Sequence, residues 1–129
     1  MNSAIGERIR ALDPQLRYGR GYDHYFVLPE AGAGTLRLAA RAYAARSGRV
    51  LELLTTQRGT QFYSGNNLDG SAPGRDGLYR QSAGFAFEPQ GFPNGANQQG
   101  FPSTILRPDA LYRETIVYRF RTMRAGEEP

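Results

Sequence analysis

Across Leu111–Thr122 the chain changes face at every residue. Tyr112, Glu114, Ile116, Tyr118 and Phe120 fall on one side, and Arg113, Thr115, Val117, Arg119 and Arg121 on the other. A period of two belongs to an extended strand, because helical neighbours recur at three and four residues. The same period returns in Tyr22–Leu28, where Tyr22, His24, Phe26 and Leu28 oppose Asp23, Tyr25 and Val27. Thr35–Ala45 begins with Leu36, Leu38 and Ala40 set against Arg37 and Ala39, then turns alanine-rich. Flanking glycines and short span favour strand over helix there. Arg46-Ser47-Gly48-Arg49 reads as a hairpin turn with Gly48 at positive φ. Strands are expected to follow over Arg49–Thr56, Thr60–Ser64 and Phe85–Glu88. Only Ile5–Leu12 offers a weak helical pattern, so the chain is predicted to be all-β and antiparallel.

A chain of 129 residues, 40% of them hydrophobic, is long enough for one domain with a buried core, taken as residues 1–129. Lacking cysteine, it has no disulfides, thiol nucleophiles or thiolate metal sites. Its single histidine, His24, excludes a multi-histidine metal centre within this chain. The opening MNSAIGERIRALD carries charges where a signal peptide needs an apolar run, and no apolar stretch is long enough to span a bilayer. A cytoplasmic protein without a membrane partner is the expectation. All 16 basic residues are arginine and the formal charge is +4. The arginines are scattered, densest at Arg119, Arg121 and Arg124, and accompany no nucleic-acid-binding motif, so no nucleic-acid partner is expected.

Two segments lack any period. Gly65–Gly77 (GNNLDGSAPGRDG) reads as a long loop, and so does the polar stretch after Glu88. Leu68, Phe92 and Phe101 are expected to anchor them as ordered loops bordering a binding cleft. In GFAFEPQ, alternation places Phe85 and Phe87 on one face and Ala86, Glu88 and Gln90 on the other. A carboxylate at the end of an apolar strand is expected to be partly desolvated, which suits proton transfer. It is equally read as a rim glutamate held by loop N–H groups. Asp23 in GYDHYF and Gln61 in TQFYSGN lie in similar aromatic-rich settings. Carboxylates and amides backed by aromatic faces suit a polyhydroxylated ligand. Asp23 capping a turn, or Gln61 pairing across a ladder, remain open on the residues alone.

The ordered series GYDHYFVL, SGRVLELLTT, GTQFYSGNNLDG, GFAFEPQGFPNGANQQGFPSTILRP and YRETIVYRF resembles the C-terminal part of the aldose 1-epimerases, the galactose mutarotases, from about Ile5 to Phe120. The resemblance implies part of a large antiparallel β-sandwich, with galactose or glucose as ligand and no cofactor or metal. It further implies that Glu88 is the general base at the anomeric hydroxyl, while Asp23 and Gln61 belong to the sugar site. Family members are longer, and their N-terminal portion supplies the acid histidine near an N-H-x-Y-F-N-L motif that has no counterpart here. Ser82, where many members carry a basic residue, and Phe87 in place of leucine are smaller departures. Strand alternation turns His24 away from Asp23, so His24 is expected to be structural rather than a substitute acid. An N-terminal complementing segment or self-association is the expected partner of such a chain, since open strand edges and an uncovered apolar face favour both.

Overall fold

A computed structural model of the chain describes residues 3–123. The chain divides into two compact units, Met1–Phe26 with Gln61–Glu88, and Val27–Thr60 with Pro89–Pro129. The expectation from the sequence that the tail Arg124–Pro129 frays concerns residues outside the described ones. Among the described residues eight strands dominate: β1 Asp23–Val27, β2 Arg37–Ala44, β3 Arg49–Thr55, β4 Gly59–Tyr63, β5 Asp69–Gly74, β6 Gly77–Arg80, β7 Ala86–Gln90 and β8 Ile116–Thr122. They form sheets of order β1-β4-β7, β2-β3-β8 and β5-β6. The chain is all-β, its sheets largely antiparallel, as a sandwich-type fold requires. Among the described residues, no helix is long and apolar enough to cross a membrane.

In the first unit two short helices, α1 Ile5–Arg8 and α2 Pro14–Gly19, precede the strands. The sequence reading gives only the first; the second follows from local chemistry. The Asp13 carboxylate accepts from the N–H groups of Gln15 (2.8 Å) and Leu16 (3.4 Å), and Pro14 occupies the first turn, where a missing N–H costs nothing. Leu16 is buried beneath it. Gly65–Gly77 is also corrected. Rather than a structureless loop, it supplies β5 and the start of β6, paired antiparallel through Pro73↔Leu78 and Gly74↔Gly77 around a turn at Arg75-Asp76. Backbone pairing here overrides side-chain propensity, and the ladder is irregular between Asp69 and Pro73. Gly65 itself has φ +68°, and a Cβ there would lie 2.6 Å from the carbonyl oxygen of Gly84, so only glycine permits the approach.

In the second unit β3 is central, paired with β2 through Arg41↔Glu52 and Ala42↔Leu51 and with β8 through Glu52↔Arg119 and Leu53↔Tyr118. Opposite residues in such a ladder share a face. Leu51, Leu53, Ala40, Ala42, Tyr118 and Phe120 therefore form the apolar face, on which Leu53 is fully buried. The other face carries Glu52 (4% exposed) beneath Arg41, Arg119 and Arg121 at 2.8, 3.3 and 3.8 Å. Gly48 takes the expected positive φ (65°) in the turn joining β2 to β3. β8 starts at Ile116, five residues later than the sequence pattern predicts. The Thr56 hydroxyl ends the ladder by accepting from the Thr115 N–H (2.9 Å) and donating to the Glu114 carboxylate. The rings of Phe92 and Phe101 meet in a tilted contact 4.9 Å apart and close the polar loop after β7.

Candidate active site

The first unit's strands have two unlike faces. Phe62, on the middle strand β4, meets the rings of Tyr22, Phe85 and Phe87 at 5.6, 5.9 and 5.5 Å. Those rings define an aromatic face, and side chains one residue away point to the opposite side. Asp23 of β1, Gln61 and Tyr63 of β4, and Glu88 of β7 all occupy that opposite face. The three predicted residues thus come from three adjacent strands and share one surface.

Asp23 and Gln61 are joined directly, the amide Nε2 donating to the carboxylate Oδ1 at 2.7 Å. The bond fits a prepared polar surface and also the plain cross-strand pairing the sequence leaves open for Gln61. Glu88 does not meet the expectation of desolvation, for it is exposed. The reason lies in the pleat: the apolar character of this strand comes from Phe85 and Phe87, whose rings lie on the far face. Pro89, which cannot donate to a ladder, is accommodated because β7 is an edge strand.

His24 sits on the aromatic side, its ring 5.9 Å from Tyr22 in an edge-on arrangement, and its Nδ1 accepts from the Asp23 N–H at 2.9 Å. An Nδ1 acceptor leaves Nε2 to carry the proton of the neutral ring. The structural reading of His24 follows, and it is not placed with the three polar residues.

A second tier of groups, not singled out in the sequence, fixes β1 against β4. The Ser64 hydroxyl accepts from the Tyr22 N–H (2.9 Å) and donates to Asn66 Oδ1 (2.6 Å), while Asn66 Nδ2 donates to the Tyr22 carbonyl (2.9 Å). Ser64 and Asn66 are both buried, so this network sets where Asp23 stands relative to Gln61. The Asn67 N–H donates to the Tyr63 hydroxyl (2.9 Å), holding that ring on the polar face. The signal was present in SGNN, directly after QFY, because short polar side chains following a strand bond local backbone. Among the described residues no group of three or more acidic or histidine side chains is arranged to hold a metal ion.

The family model for aldose 1-epimerase matches residues 2–119. The chain belongs to the aldose 1-epimerase family. It is 45% identical over 101 residues to human galactose mutarotase and 44% identical over the same length to the rat protein, covering 78% of this chain and 29% of each relative. To the aldose 1-epimerase of Escherichia coli it is 34% identical over 110 residues, which is 84% of this chain and 32% of that protein. The chain therefore spans about three-tenths of the length of the curated relatives it matches.

Proposed function

We propose that this chain carries the base half of a mutarotase site and acts on aldohexoses such as galactose and glucose. The observation that carries the reading is the common face of Asp23, Gln61 and Glu88 in a chain of this family. Glu88 takes the proton from the C1 hydroxyl as the ring C1–O bond breaks and the ring oxygen gains a proton. The C1–C2 bond of the open aldehyde rotates, and closure on the other face gives the opposite anomer. As the ring C1–O bond re-forms, the ring oxygen returns its proton to the group that supplied it and Glu88 returns its proton to the C1 oxygen, so both groups are regenerated without a net change in protons or electrons. Asp23 accepts from sugar hydroxyls, and the Gln61 amide holds the Asp23 carboxylate and a further hydroxyl. The proton on the ring oxygen comes from a group other than these three.

Polarimetry on freshly dissolved α-galactose tests the reading. The expected result is relaxation faster than buffer, with Glu88→Gln lowering the added rate by about a hundredfold or more. Equal rates for the two proteins, both above buffer, contradict the role of Glu88.

The exposure of Glu88 and the 29% coverage of the relatives favour a second reading. In it the chain binds sugar but turns it over only beside a separate N-terminal segment that covers the carboxylate and supplies the acid. Catalysis that appears only on mixing with such a segment selects this reading over the first.

A further inference from the structure

A hollow of about 360 Å³ lies in the first unit, and none of Asp23, Gln61 and Glu88 lines it. Arg10, Arg17, Arg20, Gln81 and Ser82 line it, over an apolar floor that includes buried Leu16. No carboxylate lines it, and among the described residues no ion pair engages any of the three arginines. Arg20 has one side-chain partner, the neutral Asn67 Oδ1 at 2.7 Å, which leaves its charge uncompensated.

The hollow is held in shape by bonds between the two segments that line it. Arg20 (φ 56°) and Ser82 (φ 64°) are both non-glycine residues in the left-handed region, and both line it. At Arg20 this is the common left-handed cap that ends α2, its N–H bonded back to the Arg17 carbonyl. Gln81 Nε2 donates to the Arg20 carbonyl at 2.8 Å, the Ser82 N–H donates to the Gly65 carbonyl at 3.2 Å, and the Gly21 N–H returns to the Leu16 carbonyl at 3.0 Å. The two segments bearing the arginines and Ser82 are thereby tied together.

We propose that this hollow binds a phosphate-class oxyanion, either free phosphate or the phosphoryl group of a small ester. Guanidinium forks match the oxygens of a phosphoryl group in pairs, and their three positive charges are met more fully by a phosphate dianion than by a carboxylate of single charge. The Ser82 hydroxyl adds a neutral donor. The volume holds one phosphoryl group with room for the carbon skeleton of an ester. This inference is independent of the mutarotase reading, because it uses none of Asp23, Gln61 or Glu88.

The test is a phosphate titration of the isotopically labelled chain followed by NMR, against sodium chloride at matched ionic strength. Saturable amide shifts confined to residues 9–12, 16–20 and 81–82 are expected with phosphate and not with chloride. Arg10→Ala and Arg17→Ala each weaken binding about tenfold, and Arg17→Lys less, since lysine keeps the charge but loses the fork. Arg10 and Arg17 are exposed, so the variants retain the fold. Glu88→Gln leaves phosphate affinity unchanged, which separates this outcome from that of the mutarotation assay. Glucose 6-phosphate binding more tightly than phosphate assigns the hollow to an ester, and equal affinity assigns it to the free anion. Identical shifts with chloride, full affinity in both alanine variants, or unphosphorylated glucose shifting the same residues as its phosphate would overturn the proposal.

Discussion

Glu52 has its side chain 6% exposed and answers the guanidinium groups of Arg41, Arg119 and Arg121 at once. Its removal leaves three cations facing one another over the centre of the sheet, whereas loss of Arg119, itself 57% exposed, removes a mostly solvated partner. Glu52→Gln is expected to destabilise the chain by about 3 kcal/mol in urea unfolding, and Arg119→Ala by about 1 kcal/mol or less. Equal losses in the two variants contradict the picture of a buried anion at the hub. The alternation of Arg119 and Arg121 was visible in the sequence, but their shared partner was not. That pairing depends on the register of β3 against β2 and β8, which no local pattern specifies. The common face of Asp23 and Gln61 follows from local pattern instead, since each stands one place from an aromatic residue, Tyr22 or Phe62, whose rings meet at 5.6 Å. Glu88 is exposed where an apolar strand predicts desolvation, because alternation sends the rings of Phe85 and Phe87 to the other side.

Among elements, strands with amphipathic period match their predicted bounds within a residue or two except β8, which starts five residues late at Ile116, while those lacking the period escape prediction. β5 contains two glycines and a proline and is largely exposed, so nothing in its side chains announces a strand. The available clue is its Arg75-Asp76 turn, flanked by Gly74 and Gly77. α2 was likewise announced only by Asp13-Pro14. The β5–β6 hairpin opens with Asp69, whose carboxylate accepts from the Ser71 hydroxyl (2.6 Å) and the Ser71 N–H (2.8 Å). These bonds, the hydroxyl first, lower the Asp69 pKa from its ordinary 3.8. A carboxyl depressed in the folded state stabilises above its unfolded pKa, and that contribution is lost as pH falls through the folded value. Ser71→Ala is expected to move the Asp69 titration upward while the N–H bond retains part of the shift. Side-chain carbon NMR across the acid range reads it directly, and an unmoved titration contradicts the assignment to the hydroxyl.

For the molecule as a whole, family membership was carried by five motifs in series, whereas chemistry depends on which side chains converge. Phe120 (75% exposed), Tyr118 and Ile116 (each 45%) leave the apolar face of the second unit's sheet open among the described residues. In the first unit, the polar face is open as well, and its meaning rests on three side chains delivered by β1, β4 and β7. Titration of the labelled chain with galactose, followed by NMR, tests that meaning most directly. The account predicts saturable shifts at the Asp23 and Glu88 amides and the Gln61 side-chain amide, weakened in Asp23→Ala. Sugar that leaves these signals unmoved, or moves only signals elsewhere in the chain, contradicts it.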